Sequence, residues 1–310
     1  MDEGQALHLL NRLGFGPAPG DVARVRAMGA LAYVDSQLAP PPYLPYLQHR
    51  LREMADPGTQ AGEEALLLAI ASPRQLEEVL ANFWLGWFMA GQGAQVDPVR
   101  AALRPHALGC YAGLVGAARA QGLKPPEGEH AALRALARRF IDSPSPALLR
   151  SLNRVWDASN GDQRAVLRTL LTSREFLAPA QWKSRRKDDF RFLASAVRAS
   201  GVWVEYVAPL AGLLQRPMTP AQRAAFVEQM AGGQLALGRA PPRRYASSAP
   251  PGRATIRPDP SQGTVSQPGP VLIEAPTPSA VALAEAAARS QPREADHLRE
   301  LLRSEEFMRY

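Results

Sequence analysis

The densest group of side chains able to hold a charged ligand is Arg185, Arg186 and Lys187, followed at once by Asp188 and Asp189. Guanidinium and ammonium groups at this spacing grip phosphate or carboxylate through charge-assisted hydrogen bonds. Arg12 or Arg198, brought in from other helices, would complete such an anion site. The same run also makes sense as a solvated loop whose carboxylates favour the N-terminus of the next helix. Arg12 has an alternative of its own, pairing with a buried carboxylate to fix the first helix. Histidines are the other candidates, and there are five. None has a second histidine four residues away with an acidic partner, so no HExxH-type zinc site is written. Cys110 is the only cysteine, which excludes an intrachain disulfide and a Cys-based zinc site, and its neighbours HALGCYAGL read as a packed helix holding an inert buried thiol. No metal and no cofactor is expected. His8 and His106 are either site groups lying near one another or helix-face histidines bonded to backbone carbonyls. His49, His130 and His297 stand among charged residues and read as surface. Gly14-Phe15-Gly16-Pro17 is no phosphate loop, since no GK[ST] follows and no strand precedes it. No G-x-S-x-G nucleophile elbow occurs.

Helices must position these groups, because nearly every segment carries helix punctuation and strand alternation is scarce. The clearest element is Ser72 to Gly91, SPRQLEEVLANFWLGWFMAG. Its Leu76, Val79, Leu80, Phe83, Trp84, Trp87 and Phe88 follow the i, i+3, i+4, i+7 series of one helical face. Ser72 reads as its N-cap, Pro73 as its first residue, Gln75 as the partner in a capping box, and Gly91 as its left-handed stop. Four aromatic rings in two turns make it the expected core helix. Further helices are expected at about 4–13, 21–29, 30–38, 44–55, 62–71, 97–120 with a break at Pro105, 129–141, 146–158, 162–172, 190–200, 203–214 and 219–232. VWVEYV at 202–207 alternates like a strand, but helices on both sides favour helix. The fold class is all-α.

The chain of 310 residues is long enough to bury a real core. No apolar run reaches the roughly 20 residues of a membrane span, and Met1-Asp2-Glu3-Gly4 lacks the character of a signal peptide, so the cytoplasm is the expected compartment if Met1 is the start. The net charge is +7, which invites a nucleic-acid reading. Against it, only Lys124, Lys183 and Lys187 are lysines, and the arginines are scattered over the polar faces of helices, so nucleic acid is not the expected partner. Residues 239–278 hold ten prolines with Ser, Gly and Arg and few large apolar residues, the composition of a flexible linker. The expected organisation is therefore a helical domain over 1–238, that linker, and a C-terminal helical segment over 279–310. The pattern LRxLLxSxEF occurs at 167–176 and again at 298–307. It is either a common helix-ending device or a sign that the last helix docks as its twin does.

The order of several short motifs resembles a bacterial helical family known as domain of unknown function 1800 (DUF 1800). These are His8-Leu9-Leu10-Asn11-Arg12-Leu13-Gly14-Phe15-Gly16-Pro17, the helix at Leu76 to Phe88, Arg104-Pro105-His106-Ala107-Leu108-Gly109, Leu136-Ala137-Arg138-Arg139-Phe140, Ser173-x-Glu175-Phe176, and Arg185-x-Lys187 through Ser195-Ala196-Val197-Arg198-Ala199. The resemblance covers about Leu7 to Leu214. It departs in three ways. The family's central section with its N-E-N-x-x-R-E and Gly-Trp segments is absent, leaving only about Ala120 to Glu129. The polar positions of the FWHNHF helix are Leu85, Gly86 and Trp87 here. The proline of the KxKxP block is Asp189.

The resemblance implies a shortened, catalytically degenerate member acting as a binding or scaffold protein. It also implies a protein partner, with a protein of the domain of unknown function 1501 (DUF 1501) type as the candidate, and places the cell envelope beside the cytoplasm as a compartment. The rival reading is a hydrolase-type enzyme, which requires His8, Arg12, His106 and Arg185 to converge in one pocket. The anion- or ligand-binding residues expected from these arguments are Arg12, His106, Arg185, Lys187 and Arg198, with His8, Trp84 and Trp87 adjacent. Loss of polarity at Leu85 and Trp87 leads to the expectation that the C-terminal helix or a partner covers the aromatic helix.

Overall fold

The computed structural model describes residues 1–54, 62–93, 95–235, 237–238 and 294–310. The chain builds α1 (Glu3–Arg12), α2 (Asp21–Met28), α3 (Ala30–Leu38), α4 (Pro45–Glu53), α5 (Glu63–Ala71) and α6 (Gln75–Met89). These are followed by α7 (Val96–Leu103), a 3-10 turn at Arg104–His106, α8 (Tyr111–Ala120), α9 (Glu129–Phe140), α10 (Pro146–Ala158) and α11 (Gln163–Leu171). Next come α12 (Arg174–Leu177), a 3-10 turn at Pro179–Gln181, α13 (Asp189–Ser200), α14 (Ala208–Leu213) and α15 (Pro220–Ala231), with a last helix, α16, over 294–303. The fold is all-α. Among the described residues the only β pairing is two isolated bridges, Cys110 with Asp162 and Arg186 with Arg309. The expected linker and the first part of the expected C-terminal segment, 279–293, lie outside the described residues.

Several helix starts follow directly from their capping residues. Asp2, Ser145, Asp162, Ser173 and Asp188 each accept a hydrogen bond from the first turn of the helix they precede, which satisfies donors the helix cannot. Thr219 and Gln222 form a full capping box. Pro105 breaks the 97–120 stretch, as expected, into α7, a 3-10 turn and α8. The helix expected over 203–214 begins only at Ala208. Residues 202–207 are neither helix nor strand: Val204 and Val207 are buried, and the N–H groups of Glu205 and Tyr206 both donate to the Leu237 carbonyl. A tertiary acceptor thus took the place of a helical one.

The aromatic helix α6 is the centre of the core. Trp84 is fully buried, with the rings of Phe83, Phe88 and Tyr111 at 4.7, 6.3 and 5.5 Å between centroids. Its Nε1 donates to Oε1 of Gln163 at 2.7 Å, and the same amide donates to the carbonyls of His106 and Gly109. One buried glutamine thereby fastens α6, α11 and the loop before α8.

The expected start of α6 is corrected. Ser72 ends α5, with its N–H bonded to Leu68, and α6 begins at Gln75 with no side-chain cap. Gln75 makes no capping box. Its amide instead donates to Ala69 and Ser72 carbonyls at 3.0 and 2.9 Å and accepts from the Phe15 N–H at 3.0 Å. Gln75→Ala would strand three buried backbone groups, and urea unfolding is expected to show a loss of about 2 kcal/mol. Cys110 is also corrected: it is exposed, because it is the N-cap residue of α8 rather than a residue of its buried face.

Candidate functional site

The basic run 185–187 lies between the 3-10 turn at Pro179–Gln181 and α13. Asp188 caps α13 by accepting from the Arg191 N–H at 2.7 Å, so the run just before it is extended backbone that needs outside partners. The residues after α16 supply them. The Arg185 N–H donates to the Tyr310 carbonyl at 3.0 Å, the Tyr310 N–H to the Arg185 carbonyl at 2.8 Å, and the Lys187 N–H to the Met308 carbonyl at 2.8 Å. This is a short antiparallel pairing in an otherwise helical protein. Ser304 explains how α16 turns into it: its Oγ accepts from the Phe307 N–H, as Ser173 Oγ accepts from the Phe176 N–H in the twin motif. The repeated sequence is thus the same helix-ending device used twice.

Three guanidiniums surround the Tyr310 ring. Those of Arg191, Arg12 and Arg139 lie 4.1, 5.3 and 5.8 Å from its centroid, in the range for attraction to the ring face. Arg139 NH1 also donates to the Tyr310 hydroxyl at 3.3 Å. Arg191 is held by the carbonyls of Asn11 and Gly14 at 2.7 and 2.6 Å. Arg185 reaches Asp142 at 2.8 Å and the Arg138 carbonyl. Arg12, at 0% exposure, donates from NH2 to the Gln181 carbonyl and Ser184 Oγ at 2.9 and 2.7 Å. Its Nε and NH1 are buried without a hydrogen-bond partner. Phe307 anchors the other end of the strap, with Lys187 Nζ 3.6 Å above its ring and Phe192 edge-on at 6.2 Å.

The electrostatics follow from this crowding. Burial, with Arg185 nearby, pulls Arg12 down to about 10. Burial, with Arg139 nearby, pulls Arg191 down to about 9. Burial and the neighbouring Arg191 bring Lys187 down to about 7. Burial alone would raise the Tyr310 hydroxyl, but Arg139, Arg191, Arg185 and Arg12 together hold it below its ordinary value.

Among the expected residues the structure brings Arg12 and Arg185 together, with His8 one turn from Arg12, and sets Lys187 at the Phe307 end of the strap. His8 Nε2 lies 2.9 Å from the Phe176 carbonyl, and burial plus the charge of Arg12 lower it to about 4. His106 does not join them. It is exposed on the 3-10 turn before α8, so the four residues required by the enzyme reading do not converge. Arg198 does not join either. Its guanidinium is fully engaged, donating to the Gly16 and Ile70 carbonyls at 2.8 and 2.7 Å and to Asp21 at 3.1 Å, where Gly16 takes a φ of +97° that suits glycine. Trp84 is fully buried in the core of α6, and Trp87 is partly buried against it. The described C-terminal segment covers the basic run instead of α6.

Sequence reasoning missed Arg139, Arg191 and Tyr310. The available signal was Arg191, a charge flanked by Phe190 and Phe192 near the start of α13. A second ionic cluster was missed as well: Glu77 and Glu78, buried in the first turn of α6. Arg74 grips Glu77 at 2.6 Å, Arg104 reaches Glu78 at 3.1 Å, and the Tyr43 hydroxyl stands 3.3 Å from both carboxylates. Burial raises Glu78 to about 7, against the pull of Arg104. Every one of these groups has a partner within the chain, which makes the cluster a brace between α6, Tyr43 and Arg104. Among the described residues no group of His, Cys, Asp and Glu is arranged to hold a metal ion, and no helix is long and apolar enough to cross a membrane.

The family model described as protein of unknown function (DUF1800) matches residues 8–122 and 124–247. The two stretches meet at Leu123, in the loop between α8 and α9 where the resemblance places the missing central section. Neither the curated proteins nor the solved structures provide a match.

Proposed function

We propose that this chain, which belongs to the DUF1800 family of proteins of unknown function, is a binding protein that captures an extended segment of a partner. The edge at 185–187 supplies the backbone pairing, and the arginine pocket takes an aromatic anchor. One observation carries this reading: the protein's own residues 307–310 already lie there in that manner, paired through three backbone hydrogen bonds with Phe307 on Lys187 and Tyr310 among Arg12, Arg139 and Arg191. Strand addition of this kind draws affinity from the main chain and selectivity from the side-chain pockets. The partner segment accordingly carries two aromatic residues three positions apart, the spacing of Phe307 and Tyr310. A protein of the DUF 1501 type, implied by the family resemblance, is the first partner to search for such a segment. Capture of a segment needs no catalytic pair, in keeping with a pocket lined by arginines rather than by an acid and a base.

The test uses the full chain carrying Phe307→Ala and Tyr310→Ala, which weakens the internal strap without removing it. A fluorescently labelled peptide of residues 303–310 is expected to bind this variant, as read by anisotropy. Binding to the unaltered chain is expected to be at least about tenfold weaker, because only the small open fraction is competent. No binding to the opened variant would sink the proposal.

A further inference from the structure

The pocket around Tyr310 holds more positive charge than a neutral phenol needs. Four guanidiniums, of Arg12, Arg139, Arg185 and Arg191, face two carboxylates. Asp142 is paired with Arg185 and Asp188 lies close enough to act on Arg191. A surplus of two positive charges remains. Arg12 is completely buried yet leaves Nε and NH1 without a partner, two separate donors on a charged group that favours an oxyanion acceptor. The Tyr310 ring meets these cations through its face, and its hydroxyl takes a single 3.3 Å hydrogen bond from Arg139. A ring bearing a dianion at the hydroxyl position would keep the stacking, neutralise the surplus charge and give Arg139 a stronger acceptor than the phenol.

The geometry points to an aryl phosphate as the anchor this pocket is built to take: a tyrosine O-phosphate whose ring replaces that of Tyr310 and whose phosphoryl oxygens accept from Arg12 and Arg139. This rests on the proposed capture of a partner segment and names the chemistry of its anchor. The internal strap, with its unmodified tyrosine, is then a weaker stand-in that a phosphorylated segment displaces. A phosphoryl group brings close to two negative charges near neutral pH and three strong acceptors, which an unmodified phenol cannot offer.

The experiment uses the full chain with Phe307→Ala and Tyr310→Ala. It is titrated with two peptides of residues 303–310, one unmodified and one phosphorylated on its tyrosine, and with phenyl phosphate and inorganic phosphate alone. The phosphopeptide is expected to bind at least about tenfold tighter than the plain peptide, the gain that one or two charge-assisted hydrogen bonds confer. Adding Arg12→Gln is expected to weaken both peptides, since the ring loses one of its cations, but to weaken the phosphopeptide by more, so that its preference shrinks. Arg139→Gln, at a half-buried position, provides the same readout if the Arg12 variant does not fold. Phenyl phosphate competing as tightly as the phosphopeptide would support the aryl phosphate while moving its source from a segment to a free ligand. Equal affinity for the two peptides, with no competition by phenyl phosphate, overturns the inference and leaves segment capture standing. Failure of both peptides to bind removes segment capture, and with it the inference that rests on it.

Discussion

Trp84→Ala is expected to destabilise the protein by about 4 kcal/mol, measured by urea denaturation at neutral pH. The side chain is fully buried at the centre of α6. Its removal leaves a large cavity among Phe83, Phe88 and Tyr111, and packed helices relax into such a space only in part. The loss also strands Oε1 of Gln163, which takes the indole N–H at 2.7 Å. Trp84→Phe separates the two effects: it refills much of the volume but leaves the amide oxygen unpaired, and a loss of about 2 kcal/mol is expected. If Trp84→Ala costs no more than a surface substitution, α6 is not the centre of the core.

The second large effect is a dependence on acid that runs through His8. Burial and the nearby Arg12 lower this histidine from 6.5 to about 4. In the unfolded chain it takes its proton near 6.5, so between pH 6.5 and 4 the unfolded state binds more protons than the native state. Stability therefore rises with pH across this window, and it is lost as the pH falls from about 6.5 to about 4. The difference amounts to about 3 kcal/mol from this one group. Below pH 4 the native state protonates too and no further loss comes from it. His8→Phe keeps the contact with Phe176 (ring centroids 4.7 Å apart in the unaltered protein) but cannot titrate. Its stability is expected to fall less steeply than that of the unaltered protein between pH 6.5 and 4. Parallel pH profiles for the two proteins would exclude His8 as the source. Glu78 acts in the opposite sense, since burial raises it from 4.5 to about 7 and its ionisation is relieved as the pH falls. The comparison must therefore be between variants at position 8, not between pH values alone.

Much of the architecture was legible in the residues. The α6 stripe, the capping residues Ser145 and Thr219, and the break at Pro105 are local devices whose physics acts within a few positions of chain. The family resemblance was legible for the same reason, as it rests on short motifs in a shared order. What failed locally failed where a distant group took over. Gln75 reads as a capping-box residue, but the N–H of Phe15, sixty positions away, claims its amide. Residues 202–207 read as helix, but the Leu237 carbonyl claims their donors. Cys110 reads as a core residue because its neighbours are apolar, whereas a residue preceding a helix points outward.

The candidate site divides along the same line. By itself the sequence determined that the protein is helical and that the aromatic helix belongs to its core, and it offered Arg12, His106, Arg185, Lys187 and Arg198 as candidate ligand residues, because these readings depend on spacing and on local charge density. Only the tertiary structure decided that Arg198 and His106 stand apart, that Arg139 and Arg191 belong with Arg12, and that Tyr310 lies among them. Attraction between a guanidinium and an aromatic ring acts over a few ångströms in space, whatever the separation along the chain. Nothing in the spacing of residues 12, 139, 191 and 310 announces that folding will bring them together.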